Sequence, residues 1–328
     1  MSTILPEASQ HQPLNSPFKW VGGKSRLRKY VIELLPPHTC FVELFSGAAW
    51  VLFGKPPSDV EIINDIDQDL VTFFRVLREK PEELIASFEW ELVSRAEFER
   101  LAELDPSRLT DVQRAHRFYY LIMAGWGGEL NYPRFQTSIT DGGGGNRLIG
   151  ALKTLRQRLQ PVHERLRTVI IENLDWQACL DRYDRPTTVM YVDPPYPGNK
   201  CNYAHNMRGW DEHHLLAERL KRANCQWILS SYDIPEMHAL FPEHYVLGIQ
   251  SASGMNAQKN GSTRTTNREV LITNFAPPKS QLIRQREAVS QQPTLEMEAA
   301  ASYAAKGQAS FVLLNSPPTA DPLPILLK

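Results

Sequence analysis

Residues 188–196 read Thr188-Val189-Met190-Tyr191-Val192-Asp193-Pro194-Pro195-Tyr196, and this stretch decides the fold. Its first five residues form a short apolar run of strand character. Two successive prolines then remove two backbone donors and fix φ, so the strand must end in a stiff turn. Similar short runs recur at Cys40–Leu44, Val60–Ile63, Thr168–Asn173, Gln226–Ser230, Tyr245–Gln250 and Glu269–Asn274. Helical periodicity intervenes at Asp69–Leu77 and Asp211–Arg222. Alternation of this kind predicts an α/β protein with a mostly parallel, seven-stranded sheet and helices on both faces.

Between about Arg78 and Arg167 the alternation stops. Helical patterns occupy Glu82–Phe88, Glu97–Leu104, Val112–Ala124 and Leu148–Leu166, the last expected to break or bend near Pro161. The interval also contains a loop rich in glycine and aromatic residues, GWGGELNYPRFQTSITDGGGGN, at 125–146. The expected organisation is a catalytic α/β domain at 17–77 and 168–276, interrupted by a helical, substrate-selecting insertion at 78–167. Residues 1–16 read as a polar, flexible leader, and 277–328 as a disordered or weakly helical tail.

The chain has 328 residues, 42% hydrophobic and 22% charged, as in an ordinary soluble globular protein. No apolar run approaches membrane-spanning length. The four cysteines are scattered without a Cys-x-x-Cys pair, which argues against disulfides or a zinc site and for a reducing compartment. The net charge is only −1, but charge is segregated along the chain. Glu79 to Asp111 is acidic, whereas Arg147 to Arg167 carries Arg147, Lys153, Arg156, Arg158, Arg165 and Arg167 against Glu164 alone. This suits either a basic face for nucleic acid or ordinary solvated helices.

The turn Asp193–Tyr196 offers a carboxylate, the Pro194 carbonyl and an aromatic ring at the carboxyl end of a strand, where ligands of open α/β sheets bind. An exocyclic amine such as adenine N6 is a poor nucleophile because its lone pair is delocalised into the ring. Two acceptors holding both N6 hydrogens favour a pyramidal nitrogen with a usable lone pair. Asp193 and Pro194 suit that role, and Tyr196 suits stacking on a base extruded from its duplex. The bland reading is a stiff strand-ending turn. Phe41–Ala49 runs from a strand through a small-residue turn into a helix, and Asp65 ends the next strand, placed for ribose hydroxyls. Together they suit an adenosine-containing ligand, or an ordinary βαβ unit. Phe18–Ser25 combines an aromatic residue, paired glycines and two lysines before a helix, either as an anion site or as a solvent-facing helix start. Asp175-Trp176 offers a carboxylate for an adenine amino group and an indole for its ring, with a core tryptophan as the alternative.

In this order the four segments resemble the Dam-like family of site-specific DNA adenine-N6 methyltransferases (the D12 class), over roughly Pro17 to Phe275. Phe18–Lys24 resembles the family's K-W-x-G-G-K element, Glu43–Gly47 its cofactor loop, Asn64-Asp65 its second-strand acid and Asp193–Tyr196 its catalytic tetrapeptide. The resemblance implies a Rossmann-like methyltransferase fold, S-adenosylmethionine as cofactor and double-stranded DNA as partner, with no metal and no membrane. It implies a cofactor pocket lined by Trp20, Lys24, Asp65 and Asp193 beside the loop of Glu43 and Gly47, to which the reading of the residues adds Asp175 and Trp176. Catalysis falls to Asp193, Pro194 and Tyr196. The expected DNA contacts are Lys19, Asn131, Tyr132, Arg134, Arg147, Arg156 and Arg158. The stretch Gly261–Asn274 is similar to the polar loop before the family's last strand, which inserts antiparallel. A cognate restriction endonuclease and a bacterial or phage-encoded protein of the cytoplasm, nucleoid-associated in use, complete the expectation. The other readings are transfer to cytosine N4, to RNA adenine or to a protein glutamine, and a DNA-binding module without catalysis. Ser46 and Ala48-Ala49 depart from the more glycine-rich loops of the family.

Overall fold

The computed structural model describes residues 12–20, 22–125, 133–136, 146–197, 207, 209–249, 269–278 and 311–315. They form a mixed α/β fold in two compact units. Helix α1 (Arg28–Leu34) leads into β1 (Cys40–Glu43), α2 (Trp50–Gly54), β2 (Val60–Asn64) and α3 (Gln68–Glu79). Among the described residues five α-helices follow, α4 (Pro81–Ala86), α5 (Arg95–Glu103), α6 (Asp111–Ala124), α7 (Arg147–Leu152) and α8 (Leu155–Leu166). Strand β3 (Val169–Glu172) and α9 (Trp176–Tyr183) close this part of the chain.

In the first unit, which holds the described residues up to Arg28 and Thr39–Arg182, the strands lie in the order β3-β2-β1 and pair in parallel. Val42 stands opposite Ile62 and Ile62 opposite Ile170, so the three strands end together. Helix α3 begins where the Asp67 carboxylate accepts from the Asp69 and Leu70 N–H groups at 2.9 and 3.2 Å. It buries Leu70, Phe73, Phe74 and Leu77, a stripe at helical spacing. Helix α6 starts in a Thr110/Gln113 capping box and buries Phe118 to Ala124. Phe73 stacks on Tyr119 with centroids 5.5 Å apart, and Phe18 meets Phe73 and Phe118 edge-on at 5.3 Å. Phe18 thereby pins the N-terminal segment to this core.

Pro161 does not break its helix. The interruption comes at Lys153–Thr154, between α7 and α8, and Pro161 sits exposed within α8. Buried Leu155 and Leu159 before it, with Val162 and Leu166 after it, hold both halves on the core, so the lost N–H is tolerated. Arg165, counted above in a basic segment, lies in a buried ion cluster. Glu61 accepts from Lys55 Nζ at 2.6 Å and from Arg165 at 2.6 Å. Burial alone raises the Glu61 carboxyl, but Arg165 and Lys55 outweigh it and hold it below the usual range.

The second unit contains Lys29–His38, the described residues from Tyr183 to 197, and those from Met207 on. Its elements are β4 (Thr188–Val192), α10 (Trp210–Arg222), β5 (Gln226–Tyr232), α11 (Pro235–Leu240), β6 (Tyr245–Ile249), β7 (Glu269–Thr273) and β8 (Phe311–Asn315). The strand order is β4-β5-β7-β6-β8. Strands β4 and β5 are parallel, and β7 inserts antiparallel between β5 and β6. The described strands number eight rather than seven, because β8 adds antiparallel to β6, with Phe311 opposite Ile249. It lies inside the segment expected to be disordered. The apolar run FVLLN supplies a strand that the surrounding Gln, Ala and Pro content masks.

Candidate active site

The first unit gathers polar groups at the carboxyl ends of β1, β2 and β3. Buried Asn64 ties the three ends together. Its Nδ2 donates to the Leu44 and Leu174 carbonyls at 3.0 and 3.1 Å, and its Oδ1 accepts from Leu174 N–H at 2.9 Å. Glu43, buried at the end of β1, accepts from the Val51 and Leu52 N–H groups at 2.9 and 3.2 Å and so caps α2. Between them Gly47 adopts φ 45°, and an added Cβ would stand 2.9 Å from Trp20 Cδ1. Glycine is therefore required here both by conformation and by space. Ala49 takes φ 51°, a left-handed conformation uncommon for a residue with a side chain.

Asp65 and Gly47, 18 residues apart, meet directly. Asp65 Oδ2 accepts from Gly47 N–H at 2.9 Å and its Oδ1 from Asp67 N–H at 3.0 Å. The Trp20 ring lies against Gly47 and stacks on Phe118 with centroids 5.8 Å apart. Gly23 N–H donates to the Trp20 carbonyl at 2.9 Å, closing the turn that leads to half-buried Lys24. The Asp175 carboxylate accepts from Gln177 N–H at 2.9 Å at the start of α9, where Trp176 is half-buried rather than in the core. Lys19 is exposed.

The second unit carries the tetrapeptide at the carboxyl end of β4. Asp193 Oδ1 accepts from the Ser230 hydroxyl at 2.7 Å, and Ser230 Oγ lies 3.1 Å from the Tyr191 hydroxyl. Tyr196 is buried and meets Tyr232 edge-on at 4.7 Å. Burial pushes its phenol well above the usual value; the Asp193 and Glu269 carboxylates add to this, and Ser230 acts weakly in the opposite sense. Ser230, Tyr191 and Tyr232 were not singled out from the sequence. The place of Ser230 and Tyr232 near Asp193 follows from the pairing of β4 with β5, and that of Tyr191 from alternation along β4.

Of the expected DNA contacts, Asn131 and Tyr132 lie outside the described residues. Arg134 is exposed next to Phe135, whose backbone bridges to Gly125. The Arg147 guanidinium binds Gln136 Oε1 at 2.8 Å and the Gly125 carbonyl. Arg156 is exposed and paired with Glu82 through two contacts of 2.7 Å, and Arg158 donates to the Pro17 carbonyl at 3.2 Å. Among the described residues no group of three His, Cys, Asp or Glu side chains could hold a metal, and no helix is long and apolar enough to cross a membrane.

An ordinary βαβ unit needs neither a carboxylate bonded to a left-handed glycine turn nor an acid leading into two prolines. The mixed, mostly parallel α/β sheet is consistent with a methyltransferase fold. The model of the D12 class of N6 adenine-specific DNA methyltransferases matches residues 20–253, and the chain belongs to that family. The Type II methyltransferase M1.LlaDCHI of Lactococcus lactis subsp. cremoris is 23% identical over 288 residues, covering 78% of this chain and 94% of its own. The Type II methyltransferase M.CviBI of Paramecium bursaria Chlorella virus NC1A is 24% identical over 226 residues, covering 66% of this chain and 82% of its own.

Proposed function

We propose that this D12-class enzyme methylates N6 of an adenine flipped out of double-stranded DNA, with Asp193 and the Pro194 carbonyl holding the amine and Tyr196 stacking on the base. The observation that carries this reading is the Asp193 carboxylate, oriented at 2.7 Å by Ser230 in a turn whose two prolines donate no N–H. The Asp193 carboxylate accepts one N6 hydrogen, and the Pro194 carbonyl accepts the second. The reaction is complete when one N6 proton leaves for solvent or the carboxylate.

Family membership supports S-adenosylmethionine as cofactor, and the first-unit residues fit it. Asp65 presents a carboxylate for ribose hydroxyls, and Gly47, lacking a Cβ, leaves room for the Trp20 ring against the backbone. Lys24 would hold the carboxylate of the amino-acid moiety, Asp175 the adenine amino group, and Trp20 and Trp176 the ring. Glu43 supports the turn through α2. When bound, the cofactor supplies a sulfonium-activated methyl group, so the residues need only bind, orient and hold protons. The insertion at 78–167 would read the DNA site through its loop, with Lys19, Asn131, Tyr132, Arg134, Arg147, Arg156 and Arg158 toward the duplex. The Type II names of the two relatives support a restriction–modification setting in a bacterial or phage-infected cytoplasm, with a cognate endonuclease.

Incubating unmethylated DNA with tritium-labelled S-adenosylmethionine, digesting it to nucleosides and locating the label tests this. Label in N6-methyldeoxyadenosine is expected. Label in N4-methyldeoxycytidine, or transfer to RNA alone, overturns the reading. Methylation-sensitive sequencing of the same DNA then gives the recognised site.

A further inference from the structure

Resting on the assignment of Asp193 as amine acceptor, we propose that Ser230 is a positioning residue of methyl transfer, fixing the Asp193 carboxylate with a hydroxyl that Tyr191 steers in turn. The arrangement follows from strand geometry. Val192 stands opposite Leu229 in the parallel pair, so Asp193 and Ser230 lie side by side one step beyond the paired register. Side chains alternate along a strand, which puts Tyr191 and Asp193 on one face of β4.

Donor counting then orders the contacts. An ionised carboxylate only accepts, so at 2.7 Å the fully buried Ser230 hydroxyl must spend its one proton on Asp193. The weaker alternative is the Val192 carbonyl at 3.4 Å. Ser230 Oγ keeps its lone pairs for the phenols beside it, Tyr191 at 3.1 Å and Tyr196 more weakly, and the Tyr191 contact gives a chain Tyr191 to Ser230 to Asp193 in a buried setting where such bonds reinforce one another. The prolines explain why a side chain is used. A strand-ending aspartate is commonly steadied by the N–H groups that follow it, and positions 194 and 195 have none. A carboxylate turned away from its Ser230 contact would present the amine with a misplaced acceptor, and small misplacements of reacting groups are costly in rate.

Ser230→Ala, Ser230→Thr, Tyr191→Phe and Asp193→Ala are compared for kcat and KM with labelled S-adenosylmethionine and unmethylated genomic DNA, with melting temperatures alongside. Ser230→Ala should lose about ten- to a hundredfold in kcat, the effect of a hydrogen bond to a charged group, with both KM values within about twofold. Ser230→Thr, which keeps the hydroxyl, should recover most of the rate, and Tyr191→Phe should lose less than Ser230→Ala. A purely structural tie between β4 and β5 would lower the melting temperature without that split. Wild-type kcat in Ser230→Ala, with Asp193→Ala inactive, overturns the inference and leaves the role of Asp193 standing. An active Asp193→Ala overturns the assignment beneath it. Should Ser230→Ala fail to fold, Tyr191→Phe decides: a several-fold fall in kcat at unchanged melting temperature supports the chain, and unchanged kcat overturns it.

Discussion

Asp65 at the end of β2 and Asp193 at the end of β4 are both half-buried carboxylates closing a parallel strand, yet they are steadied by different means. Asp65 receives two backbone N–H groups, from Gly47 and Asp67, at 2.9 and 3.0 Å. Asp193 precedes two prolines and receives a side-chain hydroxyl, that of Ser230, at 2.7 Å. A backbone-held acid depends on turn conformation and tolerates changes in neighbouring side chains. A side-chain-held acid depends on residue identity on a neighbouring strand. Binding a cofactor calls for a fixed cradle, whereas reaction calls for an acceptor whose direction can be set finely.

The sharpest way to break this comparison is to remove the acids. Asp193→Ala should reduce methyl transfer by two orders of magnitude or more, since it deletes an acceptor aimed at the reacting amine. Tritium transfer to DNA at saturating substrates measures it; near-wild-type turnover would remove Asp193 from the chemistry. Asp65→Ala should act on binding instead, weakening S-adenosylmethionine by about 1.5–3 kcal/mol because hydrogen bonds to a charged acceptor are lost. Titration calorimetry showing unchanged affinity would take Asp65 out of the pocket.

Gly47→Ala tests the backbone side of the contrast with a smaller effect. The left-handed φ of 45° costs an L-residue roughly 1–2 kcal/mol. The new Cβ would also sit 2.9 Å from Trp20 Cδ1, so the ring must shift. Both a lower melting temperature and weaker cofactor binding are expected, with kcat at saturating cofactor little changed. A falling kcat at full saturation would show that the two acids are not separable in this way.

These contrasts also mark what the sequence could convey. Strand positions were legible because each is a short apolar run ended by a polar or proline turn, and β4 spans Thr188–Val192 as its composition implies. Asp65 and Asp193 were legible because strand-ending acids are local features. Ser230 was not, since its meaning depends on which residue of β4 it faces. The basic segment, too, depends on contacts distant in sequence. Arg156 finds Glu82 at a separation of 74 residues and Arg165 finds Glu61 at 104, so charge that is segregated along the chain is partly neutralised in space. Strand β8 was hidden because four apolar residues, Phe311 to Leu314, were averaged into a polar, proline-containing tail.

The smallest expected effect separates two arginines of the insertion, again by what holds them. Arg147 is engaged with Gln136 and with the Gly125 carbonyl, and burial lowers its guanidinium from the usual value. Arg147→Gln removes donors from partly buried acceptors, so its main signature should be a lower melting temperature. Arg156 is exposed and pairs with an exposed carboxylate, Glu82, which a phosphate can replace. If Arg156 meets the duplex, Arg156→Gln should reduce the slope of log affinity against log salt by about one unit and weaken all sequences alike. Its melting temperature should stay at the wild-type value, as expected for a surface ion pair. Duplex titrations across a salt series, with melting curves for both variants, make the measurement. An unchanged slope in Arg156→Gln would assign that arginine to a surface pair with Glu82 alone, and an unchanged melting temperature in Arg147→Gln would return Arg147 to the DNA face.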